Sequence, residues 1–134
     1  MPPASDEVCR LLRRVFADTA SNVVEFTRTA RGVGHRCDEG LVALLPDMTF
    51  DQARDALKRA IVHFLDEGGK PNETHELGDP EMKLDPATFY EFRLTCEGRA
   101  LYVKVKLDDT DPDEPTAQVV SVKRDDSKGG GQHG

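Results

Sequence analysis

Val8, Leu11, Leu12, Val15 and Phe16 recur at the spacing of about 3.6 residues that lines up one side of a helix, while Arg10, Arg13 and Arg14 fall mostly on the other. Ser5 stands where a side-chain oxygen can accept from an amide of the first turn, so a helix is predicted over residues 5–19. Residues 22–27 (Asn-Val-Val-Glu-Phe-Thr) are short and β-branched, which suits a strand, with continuation into helix as the alternative. Residues 31–36 read as an irregular loop, whose two glycines lack the preceding strand and following helix that a phosphate-binding turn needs. Residues 41–45 suit a helical turn stopped by Pro46. Thr49 with Gln52 forms a capping box, and Phe50, Ala53, Leu57, Ala60, Ile61, Phe64 and Leu65 share one face of the helix it opens, which Gly68 and Gly69 end. Residues 70–86 are polar, acidic and proline-containing, and are expected as one long loop.

Beyond that loop the period changes to two. Strands are predicted over residues 89–96, 99–107 and 117–123, with a turn at Glu97-Gly98. Tyr90, Phe92 and Leu94 fall in phase with Leu101, Val103, Val105, Val120 and Val122, which assigns them to a core face. Glu91, Arg93, Tyr102, Lys104, Lys106, Ser121 and Lys123 alternate onto a solvent face. If Leu107 pairs near Ala117, Tyr102 lies opposite or beside Ser121 and Lys123. Residues 1–4 are expected as a flexible end, 5–124 as a single domain, and 125–134, which hold no apolar residue, as a disordered tail.

A chain of 134 residues fits one domain. No apolar run approaches the roughly 20 residues that cross a bilayer, and the first residues lack a basic start followed by an apolar stretch, so no membrane association and a cytoplasmic location are expected. Cys9, Cys37 and Cys96 form an odd set without a CxxC pair, which fits buried thiols in a reducing compartment; with His35 they match no structural zinc spacing, and no metal or other cofactor is predicted. The net charge of −7 opposes polyanion binding, yet it is uneven: residues 51–88 carry −4 and residues 89–134 only −2, most of whose acids lie in the run 108–114. The solvent face of the predicted sheet carries Arg93, Lys104, Lys106 and Lys123 against Glu91, a local +3.

A phenol, a hydroxyl and several cations on one face supply what metal-free RNA cleavage requires: a base for the 2′-hydroxyl, cations for the phosphorane, and an acid for the leaving 5′-oxygen. Tyr102 and Lys123 are the candidates for this chemistry, and Arg93, Lys104, Lys106 and Ser121 for gripping the substrate. The bland alternative is an ordinary solvated sheet face, where lysines also discourage edge pairing. His35, His63 and His75 are general-base candidates by type alone, His75 the freest of them in its loop; Asp79, Glu81 and Asp85 have the spacing of a solvated segment.

The run Leu101-Tyr102-Val103-Lys104-Val105-Lys106-Leu107, an acidic turn, and Val119-Val120-Ser121-Val122-Lys123 resemble the C-terminal hairpin of MqsR-type toxins, where the pattern is V-Y-L-K-I-x-V followed by I-V-S-F-K. Residues 24–30 resemble that family's segment around T-x-x-A, and the order of elements agrees over residues 5–124. The chain departs from the pattern in having Val122 in place of Phe, an acidic balance and a longer acidic turn. The resemblance implies an α+β, RelE-like fold with helices packed on one face of a small antiparallel β-sheet. It also implies an mRNA endonuclease that cuts single-stranded mRNA and is restrained by a cognate antitoxin protein. Tyr102 and Lys123 match functional positions of the family; its other catalytic positions lie before the sheet, where Lys70 and Lys83 are the cations at hand. The alternative is a non-catalytic protein-binding module on the same fold.

Overall fold

A computed structural model describes residues 2–20, 23–26, 37–82, 86–111 and 113–125. Three helices and five strands succeed one another as α1 (Asp6–Ala17), β1 (Val24–Phe26), α2 (Cys37–Leu44), α3 (Phe50–Asp66), β2 (Asn72–Glu76), β3 (Ala87–Cys96), β4 (Arg99–Asp108) and β5 (Thr116–Arg124), with a short 3₁₀ turn at Pro80–Met82. α1 and α3 start where the sequence indicates. The Ser5 hydroxyl accepts from the Val8 amide at 3.2 Å, and Thr49 and Gln52 cap each other reciprocally, amide to side chain, at 3.2 and 3.0 Å. The end of α3 is a Schellman turn: Gly69 donates to the Phe64 carbonyl and Gly68, at φ +87°, to that of Leu65. Gly69 is obligatory there, because a Cβ would stand 2.7 Å from the Phe64 carbonyl oxygen.

The strands form one open sheet in the order β1-β5-β4-β3-β2. Three of the four neighbouring pairs are antiparallel and β1 joins β5 in parallel, so the expected all-antiparallel sheet is corrected at one edge. A parallel pair needs a long crossover, and the chain between β1 and β5 contains every other element except α1. All three helices pack on the same side, α3 against β3 and α1 and α2 against β5. Between the layers lie Leu12, Val15, Phe16, Leu41, Leu57, Ile61, Phe92, Leu101, Val103, Val105 and Val119. Phe92 meets Phe64 of α3 edge to face, with ring centroids 5.6 Å apart.

Several expectations change. Residues 70–86 are not one loop, because Asn72–Glu76 forms β2, paired antiparallel with β3. Its side chains are all polar, so backbone pairing to an existing sheet, not apolar alternation, makes it a strand. The end expected to be flexible lies against β2: Ala4 donates to Pro71 and Glu73 donates to Pro2, both at 2.8 Å, and Pro3 bridges Asn72. α2 is a full helix from Cys37, not a turn from Leu41. Val119, not Val120, belongs to the core face, because the register slips by one residue between Lys104 and Val105. This bulge lets both Val119 and Val122 point inward with Val120 as the extra residue. Asp125, assigned to the tail, is buried and its amide donates to the Ala100 carbonyl. The remaining tail, the 31–36 loop with His35, Lys83 and Asp85 lie outside the described residues.

Candidate functional site on the exposed sheet face

The uncovered face of the sheet holds the predicted cluster. Register places Arg93 of β3 opposite Tyr102 of β4, and Tyr102 opposite Lys123 of β5, so the three form one row across the middle of the sheet. The neighbouring row is Glu91, Lys104 and Ser121. The bulge at Val120 sets this alignment: below it the paired numbers advance by one, which brings Lys123 directly opposite Tyr102. The Arg93 guanidinium and the Lys123 ammonium each lie over the Tyr102 ring, 5.0 Å from its centroid. Lys106 stands one position beyond, opposite Gln118.

The acids on this face decide its electrostatics. The Tyr102 hydroxyl donates to Glu91 Oε2 at 2.8 Å. Burial first, and the Glu91 carboxylate next, hold the phenol well above its ordinary pKa of 10, so it keeps its proton and cannot serve as the resting base. Arg93 Nη1 donates to Asp125 Oδ1 at 2.7 Å. Lys104 is hydrogen-bonded to Glu76 of β2 and lies over the Phe89 ring at 4.4 Å. Gln118 Nε2 donates to Glu25 Oε1 of β1 at 3.2 Å. Glu25, Glu76, Glu91 and Asp108 thus share the face with its four cations, and Asp125 closes one end. The local +3 of the three-strand count is corrected to near balance, because the two edge strands each bring a glutamate and β4 ends in Asp108.

Tyr102, Lys123, Arg93, Lys104 and Ser121 are therefore brought together, with Lys106 at the margin. Lys70 is engaged by Asp6 at 2.8 Å, at the start of α1. His75 is in β2, not in a loop, held between Thr88 Oγ1 at 2.9 Å and Glu73 Oε2 at 3.0 Å. His63 is exposed on α3 beside Glu67. Cys37 and Cys96 are buried and Cys9 is half-buried. Burial pushes the Cys37 thiol up to about 12 and that of Cys96 up to about 11, with Asp38 and Glu97 adding to the respective effects. Among the described residues no three His, Cys, Asp or Glu side chains converge as a metal site, and no helix is long and apolar enough to cross a membrane.

Glu91 is the residue whose part in the site sequence reasoning missed. Its alternation with Arg93 put it on the right face, but its bond to Tyr102 runs diagonally, to a residue two positions from its direct partner Lys104. Comparison with protein-family models, with curated proteins and with solved structures gives no match to this chain.

Proposed function

We propose that the exposed sheet face cleaves single-stranded mRNA without a metal, and that the chain is the RelE-like toxin of a toxin–antitoxin pair, held in check by a protein antitoxin. The observation that carries this reading is the row Arg93–Tyr102–Lys123 with Glu91 hydrogen-bonded to the phenol. Glu91, the acceptor of that bond, takes the proton of the 2′-hydroxyl. The 2′-oxygen then bonds to phosphorus while Arg93 and Lys123 neutralise the charge that gathers on the phosphoryl oxygens. As the bond from phosphorus to the 5′-oxygen breaks, Tyr102 gives that oxygen its proton and recovers one from Glu91 along the existing bond. The products are a 2′,3′-cyclic phosphate and a 5′-hydroxyl. Lys104, Lys106 and Ser121 hold the neighbouring phosphates and sugars.

The direct test incubates the purified chain with a defined single-stranded RNA in EDTA, beside Tyr102→Phe and Glu91→Gln, and assays for cyclic phosphate ends. Cleavage by the parent with loss in both variants supports the mechanism; RNA left intact by the parent overturns it. A second reading, a non-catalytic protein-binding module, is favoured by the near balance of charge on this face, which suits a mixed polar partner better than a polyanion. Intact RNA together with a stable complex with a partner protein would select it.

A further inference from the structure

On the helical side, away from the candidate RNA face, a cavity of about 550 Å³ opens between the end of α1, one side of α3 and β1. That volume is within the range of small-molecule sites, roughly 300–1,000 Å³. Phe16, Val24 and Val62 supply its apolar wall, and Lys58 and Arg59 its cations. Lys58 is 9% exposed. Its ammonium donates to the Asp18 carbonyl, at the C-cap of α1, at 2.6 Å. An ammonium has three N–H donors, and among the described residues this carbonyl is the one hydrogen-bond partner of Lys58. The other two donors are left in a largely desolvated place, an arrangement that is costly without an acceptor.

The acids around the cavity are already engaged. Asp55 pairs with Arg54, Asp66 with Arg13 of α1, and the Asp18 side chain accepts from the Ala20 amide. Arg54 is shared between Asp51 and Asp55 and lies over the Phe50 ring. Lys58 and Arg59 face a half-apolar space, and among the described residues no carboxylate is in ion-pair contact with either, Asp55 and Asp18 acting on Lys58 only through longer-range attraction. We infer that this cavity is a binding site for a small organic carboxylate, its anionic head on Lys58 and Arg59 and its apolar body against Phe16, Val24 and Val62. A monoanion fits better than a phosphate dianion, because Asp55 and Asp66 border the cavity and one buried ammonium cannot offset two charges.

The test titrates the full chain with octanoate, phenylacetate and, as controls, octanamide and an alkyl phosphate, following amide shifts by NMR and the thermal midpoint. Octanoate or phenylacetate is expected to shift resonances of residues lining the cavity saturably and to raise the midpoint, while octanamide does neither. Lys58→Met keeps most of the length of the side chain, relieves the burial of a charge and should remain folded; Arg59→Gln changes an exposed position. Each is expected to weaken carboxylate binding about tenfold or more, one decade being about 1.4 kcal/mol. The inference is overturned if no carboxylate binds, if octanamide binds equally, if the alkyl phosphate binds more tightly, or if both variants bind as the parent does.

Discussion

Tyr102 shows how one side chain constrains the chemistry around it. With its proton committed to Glu91, it can act only as a donor, so activity that depends on Tyr102 must also depend on Glu91. Glu91→Gln is expected to abolish RNA cleavage along with Tyr102→Phe, read as loss of cyclic phosphate ends. Tyr102→Phe should abolish growth arrest on expression while costing roughly 1–3 kcal/mol in urea unfolding, the size of a lost hydrogen bond to a charged acceptor. The buried thiols make a separate claim. Cys37 and Cys96 have folded pKa values of about 12 and about 11 against an ordinary 9.0. The fold therefore favours their protonated forms, a contribution complete below about pH 9 and lost as pH rises towards 11–12. The urea midpoint should hold steady up to about pH 8.5 and then fall, and Cys37→Ala should flatten the decline. Alkylation at neutral pH followed by peptide mapping should find Cys9 labelled first.

The elements differ in how far the sequence announces them. α1 and α3 are legible because periodicity and caps agree, and Ser5, Thr49 and Gln52 do what their side chains suggest. The β3–β4–β5 meander is legible because its inward and outward positions alternate. β2 is not, since Asn72, Glu73, Thr74, His75 and Glu76 carry no apolar phase and are held by pairing that begins only once β3 exists. The bulge is hidden for the opposite reason: with valines at 119, 120 and 122, either phase looks apolar. The site inherits one of these gaps, Glu76 from the unread strand; the alternation already places Tyr102 opposite or beside Lys123, and the bulge makes the pairing direct. One turn and one helix give predictions at this scale. The β3–β4 turn holds Glu97 at φ +52° and Gly98 at φ +79°, the geometry in which Asn-Gly is the preferred pair. Glu97→Asn should stabilise the protein by up to about 1 kcal/mol and Gly98→Ala should destabilise it by about 1 kcal/mol or more in urea titrations. In α2, a Cβ on Gly40 would lie at an ordinary 3.6 Å from the Val122 carbonyl. Gly40→Ala is therefore expected to gain about 0.5–1 kcal/mol from helix propensity.

For the molecule as a whole, the net charge of −7 and the balanced face bound the affinity for RNA. If Arg93, Lys104, Lys106 and Lys123 are the only cations on the strand, a logarithmic plot of affinity against salt should have a slope no steeper than about −3, at about −0.7 per neutralised phosphate. A steeper slope measured by fluorescence anisotropy would place the RNA on another surface. The core beneath the face tolerates little: Phe92→Ala, fully buried against Phe64, should cost about 3–5 kcal/mol. The topology also governs when the face can exist. β1, formed by the first part of the chain, docks on β5, formed by the last, and the Arg93–Tyr102–Lys123 row is complete only with β5 in place. Such distant pairing leaves the face incomplete until β5 has been made and has docked. Chains truncated before Thr116 lack Lys123 and the strand that pairs with β4, and under the proposed mechanism they should leave RNA untouched.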